Sequence, residues 1–305
     1  MSKYSINTSA MRTIFILLIS SFLFSCNINS PKNSDNSSLA KGDSTLDLEK
    51  VAQMKITSSV EYHKVLDRLD QGELSSIDVA GKLFKNCEAD TLVHDSMFVA
   101  FNDFYNSVAG SYLENNESAN SQLEKSPSSE AVKQLKARLA SYGILLSSAE
   151  GTFYLEPQTA YLLENFGSSL SPAYREYLTI GSKEQLTRFA EDGKILIPSD
   201  SLTSRIITWD HFMAKYPDFI SIKMAQDQYS QYMGAYLAGM DNSRIFDPAT
   251  NRLSDSSKVS FESFVVNNPE SSSTEVVKAY LDLLKSTNFN YTDRVDSFLL
   301  EKVYH

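Results

Sequence analysis

Two glutamates beside a predicted hairpin are the residues of this chain best placed for acid–base chemistry. Glu150 and Glu156 flank the second of two short apolar runs between residues 144 and 155, a pattern that predicts a β-hairpin or a tight loop. Glycosidases use two carboxyl groups roughly 5–10 Å apart as acid and base or nucleophile. The pair therefore keeps open a hydrolase acting on glycan or peptide. An exposed hairpin also accepts glutamate without any function, and we favour that alternative.

Histidine and cysteine are too sparse to build a recognisable metal or nucleophile site. The 305 residues include four histidines and two cysteines, with no His-Glu-x-x-His, Cys-x-x-Cys or Gly-x-Ser-x-Gly motif and no glycine-rich phosphate loop. His94, beside Asp95 at a predicted helix start, is interpreted as a capping or interfacial residue. In Trp209-Asp210-His211 the acid and the imidazole point about 100° apart on a helix, which excludes a dyad. We therefore predict no catalytic residue, no cofactor and no metal.

One polar segment gathers oxygen ligands of the kind that calcium prefers. It carries Asp241, Asn242, Asp247, Asn251 and Asp255. The spacing does not fit an EF-hand, and the glycine that such a loop needs is missing. A loop capped by its own Asp and Asn side chains is the favoured interpretation.

Three tyrosines offer a speculative binding surface. Tyr229, Tyr232 and Tyr236 share one broad face of a predicted helix with Met233 and Met240. Tyrosine supplies contact area at a low cost in entropy and is common at recognition surfaces. It is also common at the boundary between core and water, which is the interpretation that we favour.

Apolar residues at helical spacing indicate the elements that position these groups. The clearest stripe is spaced 3, 4, 3 and 4 residues and consists of Phe98, Phe101, Tyr105, Val108 and Tyr112. A polar stretch over 114–130 predicts a loop. Ser126-Pro127 then predicts an N-cap and first helical residue, for a helix that ends at Gly143.

The second half of the chain also reads mainly as helix. Helical spacing returns around residues 161–163 and 174–178, and Lys194 to Pro198 predicts a short extended piece. From Ser201 onward nearly all of the sequence has helical spacing, except for the segment from Asp241 to Asp255. We predict a mainly α fold of helical hairpins or a bundle, with a solenoid-like C-terminal part and one small β-hairpin near 144–156.

Charge excludes two classes of partner. The formal net charge is −10, and hydrophobic residues make up 42% of the chain, enough for an ordinary core. A nucleic-acid-binding protein needs a basic footprint that this chain lacks. Anionic lipid would repel it for the same reason, so attachment to a membrane needs a hydrophobic anchor.

The N-terminus has the features of a cleaved export signal. Lys3 and Arg12 precede an apolar run over 13–25, which is too short to span a bilayer comfortably and is followed at once by polar sequence. The run ends in Leu23-Phe24-Ser25-Cys26. This resembles the lipobox of bacterial lipoproteins, which has an aliphatic residue at −3, a small residue at −1 and an invariant cysteine. Phe24 departs from the small or β-branched residue usual at −2.

The resemblance implies that Cys26 carries a diacylglycerol, that the peptide is cut before it, and that its new amine is acylated. Two or three acyl chains give durable attachment, whereas one chain binds only marginally. The Asn- and Ser-rich residues 27–44 predict a flexible tether. Asn27, rather than aspartate, follows the cysteine, which implies the outer membrane, with the periplasmic face favoured over the cell surface.

Two similar stretches near the C-terminus predict paired helical hairpins. Phe212 precedes Pro217 by five residues, as Phe264 precedes Pro269 by five, and an acid follows each proline. Because proline cannot continue a helix, each stretch predicts a helix that ends and a second helix that folds back. Residues 201–290 resemble the helical hairpins of TPR-like envelope lipoproteins. The 52-residue offset differs from the 34-residue TPR period, and two unrelated hairpins with similar turns remain an alternative.

These observations divide the chain into a signal peptide over 1–25, a lipidated cysteine and tether over 26–44, and helical regions over 45–125 and 126–305. The predicted function is a membrane-anchored, non-enzymatic scaffold or binding module of the cell envelope. Its partners would be membrane lipid through Cys26 and an envelope protein or glycan, not nucleic acid. A carboxylate hydrolase of the envelope is the alternative.

The first prediction concerns the anchor. Replacing the nucleophilic sulfur in Cys26→Ser should abolish incorporation of labelled fatty acid and leave the precursor uncut by the lipoprotein signal peptidase. Cys87→Ser is the matched control and should label like the wild type. A wild-type chain that incorporates no labelled fatty acid would contradict the lipobox interpretation.

Overall fold

A computed structural model of the protein describes residues 48–149 and 151–304, so the predicted signal peptide, Cys26, the tether predicted over 27–44 and Glu150 lie outside the described residues. The chain divides into two compact units, Met1–Ser171 and Pro172–His305. Across the described residues the fold is mainly α, with only small antiparallel two-stranded sheets. The predicted fold class is confirmed.

The N-terminal unit consists of seven helices and one hairpin among its described residues. They are α1 (Leu48–Ala52), α2 (Ser59–Leu66), α3 (Ser75–Lys85), α4 (Thr91–Asn115), α5 (Glu117–Lys125), α6 (Glu130–Ser141), β1 (Ile144–Ala149), β2 (Thr152–Pro157) and α7 (Thr159–Phe166), followed by a 3-10 turn over Gly167–Ser169. The long helix α4 begins where the Asp90 side chain accepts hydrogen bonds from two backbone amides of its first turn. Its predicted aromatic stripe is buried.

The loop predicted over 114–130 is wrong, because α5 occupies Glu117–Lys125. Only Leu123 of this helix is buried, and one buried side chain leaves no periodic apolar pattern in the sequence. The next helix also begins later than predicted. Its N-cap is Ser129, whose hydroxyl accepts from the Val132 amide at 3.3 Å, and not Ser126.

The predicted β-hairpin is confirmed. Strands β1 and β2 pair antiparallel, with Leu146 opposite Leu155. Gly143 precedes the hairpin with a φ of +69°, and a Cβ there would lie 2.1 Å from the Tyr161 ring. Glycine is therefore required both by the left-handed backbone and by the ring that packs against it.

The C-terminal unit contains six helices and two very short hairpins in its described part. They are α8 (Pro172–Gln185), β3 (Ala190–Glu191), β4 (Lys194–Ile195), α9 (Ser199–Lys215), α10 (Ile222–Ala238), β5 (Gly239–Met240), β6 (Ser243–Arg244), α11 (Asp255–Asn267), α12 (Ser272–Ser286) and α13 (Asp293–Lys302). The predicted extended piece at 194–198 contains β4, and the predicted interruption at 241–255 separates α10 from α11. Helices α9 and α10 form one helical hairpin, and α11 and α12 form the other.

The two proline turns are equivalent in hydrogen bonding as well as in sequence. In the first turn the Tyr216 amide donates to Phe212 O and the Phe219 amide to Tyr216 O. In the second, 52 residues later, the Asn268 amide donates to Phe264 O and the Ser271 amide to Asn268 O. The capping residues share one conformation, with φ and ψ of −129° and 62° in the first turn and −127° and 50° in the second.

Tyrosine–serine contacts link alternate helices of the unit. The Tyr174 hydroxyl of α8 bonds Ser221 at the start of α10 at 2.8 Å. Ser273 of α12, 52 residues after Ser221, donates to the Tyr229 hydroxyl of α10 at 3.1 Å, although the two tyrosines are 55 residues apart. The turns of the two hairpins are therefore repeated at one offset, and the contacts between helices are similar in type.

The second prediction tests the buried aromatics of the two turns. Phe212 and Phe264 are 1% and 2% exposed, so Phe212→Ala and Phe264→Ala should each lower the free energy of unfolding by about 3–5 kcal/mol. Denaturant midpoints measure the change. The control is Val266→Ala, at a side chain that is 76% exposed, which should change stability by less than about 0.5 kcal/mol. Phe variants that unfold like the wild type would overturn this account of the turns.

Candidate functional site

The glutamates proposed for hydrolase chemistry do not form a described pair. The Glu156 carboxylate accepts a hydrogen bond from the Ser147 hydroxyl on the neighbouring strand. Glu150 lies outside the described residues, so the structure gives no distance between the two carboxyl groups. The hydrolase hypothesis gains no supporting observation from this hairpin.

Within the Asp241–Asp255 segment, the Asp247 side chain closes the loop by accepting hydrogen bonds from it. Asp247 accepts from the backbone amides of Ala249 and Thr250 at 2.9 and 2.8 Å and from the Thr250 hydroxyl at 3.0 Å. These donors hold the pKa of Asp247 below its usual range. Asn242 instead reaches the other short hairpin, where its side chain donates to Asp192 O at 2.6 Å. This arrangement is the capped loop favoured from the sequence.

His94 and Asp95 serve the architecture of the N-terminal unit. His94 Nδ1 lies 3.1 Å from Asp90 O within the first turn of α4, and the ring packs against Phe84 with centroids 5.2 Å apart. The buried Asp95 carboxylate accepts from the Ser171 amide at 2.9 Å. These contacts fit the interfacial and capping interpretation of His94.

The three candidate tyrosines point largely inward. Tyr232 and Tyr236 are 3% and 5% exposed, and Tyr229 is half-buried. Tyr236 lies 3.0 Å from the Ser260 hydroxyl and packs edge-on against Phe261, and burial raises its pKa to about 12. This arrangement gives two of the three rings a packing role inside the helix repeat and leaves them little surface to offer a partner.

Asp210 caps a helix of the following hairpin. The carboxylate is 6% exposed and accepts hydrogen bonds from the hydroxyls of Ser271 and Ser272 at the start of α12. A carboxylate at a helix N-terminus is favourable because it meets unpaired amides and the positive end of the helix dipole. Its neighbour His211 is exposed, and the predicted absence of a dyad agrees with this geometry.

A polar cluster of the C-terminal unit joins three helices. We call it the Glu184 junction and define it as Glu184 of α8, Arg205 and Trp209 of α9, and Tyr232 of α10. The Glu184 carboxylate accepts from the Tyr232 hydroxyl at 2.8 Å and from the Trp209 indole N–H at 3.1 and 3.2 Å. Three helices thus share one carboxylate.

Arg205 binds both the backbone of α8 and the side chain of Tyr232. Its guanidinium donates to Glu184 O at 3.1 Å and to Thr187 O at 2.7 Å, where α8 ends and leaves carbonyls unpaired. It also donates to the Tyr232 hydroxyl at 3.0 Å. The arginine therefore caps α8 and orients the tyrosine that binds the Glu184 side chain.

Burial dominates the electrostatics of the junction. Burial raises the pKa of Glu184 above its usual range, against the lowering effect of the Tyr232 hydroxyl, the Arg205 guanidinium and the Trp209 indole. Glu184 therefore takes up a proton at a higher pH than a surface glutamate does.

This junction is not predictable from a sequence motif. A buried Trp209 needs an acceptor for its indole N–H. That requirement signals a nearby carboxylate or carbonyl, although the sequence does not say which one. Glu184 and Trp209 are 25 residues apart, and no short motif connects them.

Comparisons with family models, curated proteins and solved structures return no match for this chain. Within residues 48–149 and 151–304, no three His, Cys, Asp or Glu side chains lie close enough to hold a metal ion. None of the described helices combines the length and apolar composition needed to cross a bilayer.

The third prediction tests the Asp210 cap against its counterpart in the next repeat. Asp210→Ala leaves two serine hydroxyls without their acceptor and should cost about 1–3 kcal/mol of stability. Glu262 follows Asp210 by 52 residues and is exposed. Glu262→Ala should therefore change stability by less than about 0.5 kcal/mol. Equal denaturant midpoints for the two variants would show that Asp210 does not cap α12.

Proposed function

We propose that this protein is a membrane-anchored binding module, held by an acylated Cys26 and engaging an envelope protein or glycan through its helical repeat. The observation that carries the proposal is the recurrence of the proline turns at an offset of 52 residues. Tyrosine–serine contacts, which link α8 to the start of α10 and α10 to α12, accompany it. Stacked helical repeats present extended surfaces whose positions recur, and proteins use such surfaces for binding.

The use of the polar side chains also favours a scaffold over an enzyme. Asp210 caps a helix, Asp247 closes a loop and Glu184 joins three helices. Each of these acids accepts two or more hydrogen bonds from its own unit. An enzyme needs groups that are free to meet a substrate, so these three acids support a structural task.

The anchor part of the proposal rests on the sequence. The lipobox-like Leu23-Phe24-Ser25-Cys26 and the polar stretch after it place the lipid at one end of a tether. Taken over the 18 residues 27–44, such a chain has a root-mean-square reach of roughly 21–25 Å. The module would then sample partners close to the membrane that holds it.

The fourth prediction tests binding through repeat-equivalent positions. Photo-crosslinking residues are placed in the anchored protein at Gln226 and Lys278, which are exposed and 52 residues apart on α10 and α12. A second pair, His211 and Ser263, is exposed and 52 residues apart on α9 and α11. If the repeat binds one partner along one face, both positions of one pair should give the same discrete adduct. Neither position of the other pair should give an adduct.

Mass spectrometry identifies the adduct, and Phe264→Ala in the same background should abolish it because the repeat surface is lost. No discrete adduct at any of the four positions in cells would contradict the proposed function. An adduct at a single position that survives Phe264→Ala would also contradict it, since binding would then not depend on the repeat.

A further inference from the structure

The Glu184 junction has a property that neither packing nor binding requires. The groups that the structure places at hydrogen-bonding distance from its carboxylate are donors. The Trp209 indole has an N–H and no lone pair to accept with. The Tyr232 hydroxyl donates to Glu184 while its oxygen already accepts from Arg205. The site is therefore arranged for an ionised carboxylate.

Protonation would weaken these bonds without removing their acceptor. A carboxyl group that gains a proton keeps lone pairs with which it can still accept from the indole and the tyrosine. A hydrogen bond to an ionised acceptor is roughly twice as strong as one to a neutral acceptor. Loss of the charge would therefore weaken the bonds that join α8 to α9 and α10.

Each helix of the junction contributes titratable groups near Glu184. Helix α9 contributes the Arg205 guanidinium, and α10 contributes Tyr232. On α8 itself, the buried Tyr177 lies within electrostatic range of Glu184, and Asp227 of α10 acts on the same tyrosine. The positive charge of Arg205 thus offsets part of the free-energy cost of burying the Glu184 carboxylate.

We propose that the Glu184 junction is a proton-sensitive joint, in which protonation of Glu184 weakens the Trp209 and Tyr232 hydrogen bonds that join the end of α8 to α9 and α10. The proposal concerns the internal packing of the repeat and does not depend on the proposed function.

The direction of titration sets the pH range in which the joint responds. Because burial raises the pKa of Glu184, the folded protein takes up this proton at a higher pH than the unfolded chain does. Protonation removes the cost of burying the charge, so this contribution to stability is fully present below the ordinary glutamate pKa and is lost as pH rises through the raised value. The hydrogen bonds of the junction weaken as pH falls through the same interval, while the fold as a whole is retained.

Trp209 provides a direct readout, since it is the only tryptophan in the chain. The fifth prediction is that the single indole N–H resonance of the full-length protein shifts with pH, with a midpoint above that of an exposed glutamate. The shift should be upfield on acidification, because the indole exchanges a charged acceptor for a neutral one. Far-UV circular dichroism, recorded in parallel, should show that helix content is retained.

Two variants assign the transition to Glu184. Glu184→Gln has no titrating proton, so its indole resonance should stay fixed across the same interval. Glu176→Gln is the matched control on the same helix. Glu176 is more exposed and binds Lys215 at 2.6 Å and the Tyr216 hydroxyl at 2.9 Å, and the bond from Lys215 lowers its pKa. Its loss should leave the indole transition in place.

Tyr232→Phe keeps the ring but removes the nearest donor to the carboxylate. It should raise the midpoint by about one pH unit, since a hydrogen bond to a charged group is worth roughly that much. The wild-type titration alone remains decisive if Glu184→Gln does not fold. An indole resonance that stays fixed while the helices remain folded would overturn the proposal, as would a transition that persists in Glu184→Gln.

Discussion

The C-terminal unit depends on aromatic side chains that are buried where one helix ends and the next folds back. Phe212 and Phe264 occupy this place in the two turns, and each turn is closed by the same backbone hydrogen bonds. Single helices of this length are marginal in water, so their stability comes from packing against neighbours. The proline turns bring those neighbours together, and the remaining contacts of the unit follow from that pairing.

Polar contacts then fix how each pair meets the next. The Tyr174–Ser221 bond ties α8 to the start of α10, the Tyr229–Ser273 bond ties α10 to α12, and Asp210 caps α12 from the preceding hairpin. Such groups are costly when buried without partners. They therefore select one register of helix against helix, whereas apolar packing alone tolerates several. The Glu184 junction follows the same principle but includes a group that can titrate.

Local signals in the sequence predicted the fold better than they predicted the polar contacts. The stripe from Phe98 to Tyr112, the hairpin before Pro157 and the two proline turns each depend on residues close in sequence, so their patterns are visible. Helix α5 was missed because Leu123 is its only buried residue. Glu184 was missed because its partners Trp209 and Tyr232 come from two other helices, and the sequence does not specify which distant residues will meet.

Native-state hydrogen exchange tests most directly the central claim, that the helix pairs of the C-terminal unit stabilise one another. Phe264 packs against Tyr236 of α10, with ring centroids 5.6 Å apart. In Phe264→Ala, amide exchange should therefore accelerate in α10 (Ile222–Ala238) as well as in α11 and α12, which flank the altered turn. Faster exchange confined to α11 and α12, with α10 as protected as in the wild type, would contradict the account.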